Sequence, residues 1–184
     1  MDKGVLGWER YLSGDDDGLV SIIEDYSDGL LLYINSILRD IHLSEDAVQE
    51  TFFKLSIKKS HFRGKSSFKT WLYSIGRNVA LDELRKKPRM TAEEGELEQM
   101  SDEGDSIEHE YLREERKLRL RHAMNKLKAE HSQALWLLYF EDFSYKEAAQ
   151  IMHRSVHQFE SLVYRARNSL RVELEKEGFA DEEL

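Results

Sequence analysis

The 184-residue sequence contains no cysteine, which removes disulfides, thiolate metal sites and a cysteine nucleophile from consideration. One proline and ten glycines are too few breakers for a sandwich of many short strands. No apolar run approaches the roughly 18 residues of a membrane helix. The opening Met-Asp-Lys-Gly-Val-Leu also lacks a signal-peptide pattern. No membrane insertion is therefore expected, and the cytoplasm is the expected location. There is no Gly-rich phosphate loop, nucleophile elbow or His-Glu-x-x-His pair. No carboxylate has the apolar flanks that would tune it for catalysis. His153 and His157 stand at i and i+4 with nothing to complete a metal site. No catalytic residue, metal or cofactor is expected.

What the sequence does contain is charge, distributed unevenly. The net charge of −9 argues at first against a nucleic-acid partner. However, residues 88–115 hold eleven acidic side chains against Arg89 and Arg113, and so account for the whole imbalance. Within that window the apolar periodicity also fails. Residues 88–105 cannot bury enough surface to offset their ordering entropy and are expected to form a flexible acidic linker. Helical pattern resumes near Ser106, with acids first and Arg116, Lys117, Arg119 and Arg121 following, as a helix dipole favours. The expected fold is all-α: two small helical domains, residues 1–87 and 106–174, joined by the linker and followed by an acidic tail at 175–184.

In the first domain, Leu19 to Arg39 reads as one or two packed helices. Ser44 is a plausible N-cap for the next helix, with Glu45 and Asp46 in its first turn. Val48, Phe52 and Leu55 form its core stripe. A second stripe carries Asp46, Gln49, Glu50, Phe53 and Ile57, which is either an amphipathic docking face or a surface covered by a neighbouring helix. Beyond it lies the basic loop His61-Phe62-Arg63-Gly64-Lys65-Ser66-Ser67, then a helix with Phe68, Leu72, Ile75 and Val79 inward. Trp71, Ser74, Asn78, Asp82 and Arg85 occupy its other face. Residues 52–89 hold eleven cations against Asp82 and Glu83. A one-sided basic field interleaved with aromatic rings suits an opened nucleic-acid strand, because cations track phosphates and rings accept unstacked bases. Tyr73 is expected in the core.

The second domain carries two capping boxes eleven residues apart, Ser144-Tyr-Lys-Glu147 and Ser155-Val-His-Gln158. The first opens a short helix, Tyr145 to Met152, that packs through Ala148, Ala149 and Met152. After the turn His153-Arg154-Ser155, a longer helix places Val156, Phe159, Val163, Ala166 and Leu170 on its apolar stripe. This is a helix-turn-helix pattern, whose second helix enters the major groove. Arg154, Ser155, His157, Gln158, Ser161, Tyr164 and Arg165 are the candidates for duplex DNA. Gln158 is either committed to the cap or free to meet a base.

With these residues in view, the chain resembles the extracytoplasmic-function (ECF) group of bacterial sigma factors over nearly its whole length. Asp46-Ala-Val-Gln-Glu-Thr-Phe-Phe53 is similar to the group's polymerase-binding helix. The resemblance implies that Asp46, Gln49, Glu50 and Phe53 meet the β′ coiled-coil of core RNA polymerase. Phe62-Arg-Gly-Lys-Ser-Ser-Phe-Lys-Thr-Trp, continuing through Asn78 to Asp82 and Arg85, is similar to the segment that melts and reads the minus-ten element. That implies promoter-DNA roles for Phe62, Arg63, Lys65, Phe68, Lys69, Trp71, Asn78, Asp82 and Arg85. Phe140 to Ile151, with Val163-Tyr-Arg-Ala-Arg167, resembles the region that binds the minus-thirty-five element. The polymerase β flap and an anti-sigma factor are further partners implied by the resemblance.

The sequence departs from the family where duplex DNA is read. His153 stands where the turn often has glycine, and a non-glycine residue at positive φ costs about 1 kcal/mol. Glu160 and Leu162 replace two cations of the usual recognition helix. Two lost phosphate contacts would flatten the salt dependence by nearly two units, at about 0.9 each. Two other readings fit the motifs less fully: a stand-alone helix-turn-helix regulator, and a sigma-derived interaction module that no longer reads DNA.

Overall fold

The computed structural model describes residues 2–57, 62–86 and 119–176, and all the regular elements among them are α-helices. The expected linker at 88–105 lies outside the described residues, as do the helix expected over 106–118 and the cations Lys58, Lys59, Lys87 and Arg89. Residues 177–184 of the expected acidic tail also lie outside them, whereas 175 and 176 belong to the last helix.

The first half is built from α1 (Lys3–Leu12), α2 (Asp17–Leu38), α3 (Ile41–Ile57) and α4 (Phe68–Lys86). No element was expected in the segment that forms α1. It is fixed by Asp2, whose carboxylate accepts from the Gly4 N–H at 3.0 Å and from the Phe68 N–H at 3.0 Å. One side chain thus caps α1 and also satisfies the first amide of α4. Trp8 and Tyr11 then bury α1 against the bundle. The Leu19–Arg39 segment is one continuous helix, stopped by Arg39 in the left-handed conformation (φ 53°).

Ser44 is not the N-cap of α3. The helix begins at Ile41, where Asp40 accepts from the Leu43 N–H at 3.1 Å. Ser44 is fully buried one turn in, and its hydroxyl donates to the Asp40 carbonyl at 2.7 Å and to Asn35 Oδ1 at 3.2 Å. Asp40 and Ser44 are both good caps, and packing on α2 selects the earlier one.

The second half comprises a helical stretch at 119–126 (α5), then α6 (Ala129–Tyr139), α7 (Tyr145–Ile151) and α8 (Val156–Lys176). Met124, Leu127, Leu135 and Ala166 form a small core beneath α5. Most other buried apolar residues of this half, among them Phe143, Ala148, Phe159 and Val163, continue into the core of α1–α4. The two halves are therefore packed on each other. Phe143 meets Tyr73 edge-on at 5.0 Å between ring centroids, and α2 lies against α6. An expectation of two tethered domains does not contain this contact.

Candidate functional site

On α3, Val48, Phe52 and Leu55 face inward and are buried, as their spacing predicts. The second stripe is not covered by any described neighbour. Asp46 and Gln49 are exposed, Glu50 is half-buried beside Lys54 (3.4 Å), and Phe53 and Ile57 are 60% and 65% exposed. Two large apolar side chains thus stand in water beside carboxylates.

The loop after α3 turns at Gly64 (φ 65°), a left-handed conformation that favours glycine. It holds Arg63 and Lys65 exposed, with Phe62 half-buried behind them. The aromatic candidates divide in a way the sequence does not show. Phe68 is fully buried, surrounded by Trp8, Tyr26, Phe62 and Trp71 at centroid distances of 5.6–6.0 Å. It belongs to the core and offers no face to a base. Trp71 is half-buried in the same cluster, 5.0 Å from Phe62 and 5.5 Å from Trp8. Phe62 and Trp71 are thus the rings at the surface of this cluster, and Phe68 is the support beneath them. Tyr73 is in the core, as expected.

Further along α4, Asn78, Asp82 and Arg85 are exposed, and Asp82 pairs with Arg85 at 3.0 Å. Two members of the basic set are not open to solvent in the expected manner. Lys69 is held 2.9 Å from Glu141, and the Arg77 Nε–H donates to Gln133 Oε1 at 3.2 Å. Desolvation lowers the pKa of Arg77 from its ordinary value. Asn78 meets the His153 ring at 3.3 Å. Glu141, Gln133 and Glu147 were not singled out in the sequence as contacts of α4.

In the second half, both capping boxes form. Ser144 Oγ accepts from the Glu147 N–H at 3.3 Å, and the Glu147 carboxylate accepts from the Ser144 N–H at 3.1 Å. Ser155 Oγ and Gln158 Oε1 make the same reciprocal pair at 3.2 and 3.0 Å, so the Gln158 carbonyl is engaged by the cap. The Glu147 carboxylate also accepts from Ser67 and Thr70 of the first half, at 3.2 and 3.3 Å. Burial pushes its pKa up, but the hydrogen bonds from Ser144, Ser67 and Thr70 outweigh that and hold it below the ordinary value.

The turn between α7 and α8 has His153 at φ 53°, the left-handed geometry expected where the family often has glycine. His157, Ser161, Tyr164 and Arg165 are exposed along α8, Tyr164 to 70%, and line one shallow depression with Glu160. Arg154 is half-buried and pairs with Glu130. The apolar stripe needs two corrections. Val156 is 41% exposed, whereas Leu162 is buried at 2%. Val156 lies in the first turn, whereas Leu162 shares the buried face of α8 with Phe159, Val163 and Ala166. Leu162 is therefore not a cation lost from the DNA face, and only Glu160 remains as such a loss.

Among the described residues, no three His, Asp or Glu side chains converge as a metal site, and no helix is long and apolar enough to cross a membrane.

Comparison with known proteins accounts for both halves. Residues 22–90 match the family described as Sigma-70 region 2, and residues 117–170 match Sigma-70, region 4. The chain is 32% identical to the ECF RNA polymerase sigma factor SigM of Bacillus subtilis (strain 168), covering 88% of this chain and 97% of that protein. It is 30% identical to the RNA polymerase sigma-H factor of Pseudomonas aeruginosa, over 88% of this chain and 89% of the relative. Among solved structures, the sigma factor RpoE in complex with the anti-sigma factor NepR from Bartonella quintana is similar, with a TM-score of 0.71 and 26% identity. That match covers 87% of this chain and 98% of the solved one.

Proposed function

The chain belongs to the ECF group of the sigma-70 family and is a sigma factor directing transcription initiation; from that premise we propose how its residues divide the work. Residues 1–87 hold core polymerase and the minus-ten element, and residues 106–174 anchor the minus-thirty-five duplex, with 88–105 as the tether. The observation that carries this reading is the α3 face, where Phe53 and Ile57 stand in water beside Asp46, Gln49 and Glu50. This face docks on the polymerase β′ coiled-coil. A stand-alone DNA regulator gives it no purpose.

Strand opening falls to the loop 62–67 and to α4. Arg63 and Lys65 track the displaced strand, while Phe62 and Trp71 receive an unstacked base. Stacking contributes roughly 1–3 kcal/mol per base, enough to bias a locally melted duplex. Asn78, Asp82 and Arg85 extend this surface along the helix, with Lys69 beside them. On α8, His157, Ser161, Tyr164 and Arg165 face the major groove, while Arg154 and Ser155 at its start lie toward the backbone phosphates. The chain performs no covalent chemistry itself and works in the cytoplasm. An anti-sigma factor is its regulator, a reading supported by the relative solved in such a complex.

Reconstituted transcription tests the whole reading. Core polymerase with this chain, presented with a library of promoter fragments, is expected to initiate at a defined subset. Promoter-independent initiation, or DNA footprints formed equally well without polymerase, would overturn it.

A further inference from the structure

One carboxylate on the exposed face of α8 differs from the others of its half. Glu130 pairs with Arg154, Glu141 with Lys69 and Glu173 with Lys176, while Glu147 closes the cap of α7. Among the described residues, Glu160 forms no ion pair with lysine or arginine. Its contact is with His157 Nδ1, at 4.0 Å, a ring that is charged only when protonated. The Glu160 side chain is exposed, so its charge is compensated by water in the free chain.

The carboxylate also lies where a recognition helix reads sequence. Ser155 caps α8, which begins at Val156, and Glu160 is in its second turn. The residues near the start of such a helix are the ones that meet base edges. His157 and Tyr164, at i−3 and i+4, lie on either side of Glu160 along one line of the helix surface. These three, with Ser161 and Arg165, line the one shallow depression of this face. Glu160 therefore sits between the side chains assigned to the groove, and not at the edge of the face where phosphates run.

An unpaired carboxylate in that position has a restricted chemistry. It carries acceptors only, and it repels any phosphate it approaches. In the major groove guanine offers the acceptors N7 and O6, and thymine offers O4 beside a methyl group. Only the exocyclic amines donate, N4 of cytosine and N6 of adenine. Adenine has the N7 acceptor next to its amine, so the second carboxylate oxygen would meet a lone pair there. Cytosine has no such neighbour and suits a carboxylate best. Any other base leaves the desolvated carboxylate without a donor.

We propose that Glu160 is a specificity-determining residue that accepts from the N4 amine of one cytosine in the duplex bound by α8. The chain then requires a C·G pair, with the cytosine towards Glu160, at one position of its upstream element. This role rests on the duplex-reading function proposed for α8. A cation at the same position would strengthen binding to every sequence alike, whereas the carboxylate weakens binding to every pair except one.

Selection from duplexes randomised over the upstream element, by the full chain bound to core polymerase at one fixed salt concentration, tests the assignment. The parent should enrich cytosine at one position, and a thymine there should weaken binding about tenfold. Glu160→Ala should lose the preference at that position and keep those at the others. Glu160→Gln should move it to adenine, which a glutamine meets through both N6 and N7. Circular dichroism checks that both variants keep the parent's helix. If Glu160 only repels phosphates, both variants will bind all sequences more tightly and leave the base preferences as they were, which would overturn the proposal. A change spread over every position would overturn it too, because it would mean that α8 has been repositioned as a whole. A parent that selects no upstream sequence would overturn the duplex-reading role of α8 and the proposal together. A parent that selects one, with a pattern that ignores both substitutions, would count against Glu160 alone.

Discussion

Of the two helices assigned to DNA, α4 is crossed by the opposite half of the molecule, whereas α8 presents its reading face to solvent. On α4, Lys69 and Asn78 already have partners from the second half. On α8, His157, Ser161, Tyr164 and Arg165 meet no such obstruction. Arg63 and Lys65 nevertheless stay exposed beside these two engaged side chains.

The largest effect should come from the buried side of α8. Leu162→Ala is expected to cost about 2–5 kcal/mol as a buried truncation, and Val156→Ala within about 0.5 kcal/mol as an exposed one. Denaturant melts of both variants check this, and similar midpoints would mean that the two faces of α8 have been interchanged. Next, Arg63→Ala with Lys65→Ala should lower open-complex formation about tenfold while leaving polymerase affinity unchanged, since phosphate contacts carry the affinity for the strand. A parallel loss of polymerase binding would merge two surfaces that are kept apart here.

Removal of the α8 cap by Ser155→Ala should cost about 1 kcal/mol of stability, read from thermal melts. Glu160→Lys should steepen the salt dependence of duplex binding by about 0.9 units, the contribution of one phosphate contact. The smallest effect concerns acid. The folded-state pKa of Glu147 is depressed, so its contribution is complete above the unfolded value and is lost as pH falls through the folded one. Melts taken from neutral into the carboxylate range should therefore drop more steeply for the parent than for Glu147→Gln. Equal slopes would show that the cap and the Ser67 and Thr70 contacts do not form in solution.

The helix-turn-helix was legible because its signals are local. Two capping boxes set both helix starts, and the positive φ at His153 was implied by the family resemblance. The misplaced boundaries involve choices between neighbouring residues of similar propensity. Asp40 and Ser44 can each cap α3, and Val156 and Leu162 both fit a wide apolar stripe. Only tertiary neighbours decide such cases. Phe68 was placed in the core and on the DNA surface at once, and its complete burial settles it in the core. The seam between the halves was not legible at all. Tyr73 and Glu141 are 68 positions apart, and Arg39 and Leu127 are 88 apart. The lysine, arginines and glutamates that make the seam look in sequence like any solvated helix face.

His153 occupies the corner that sets the angle between α7 and α8, and it also reaches Asn78 of α4 at 3.3 Å. A glycine could make the same corner but could not extend to a neighbour. The residue that turns the corner of the helix pair therefore also ties that corner to α4, a link that glycine would leave out.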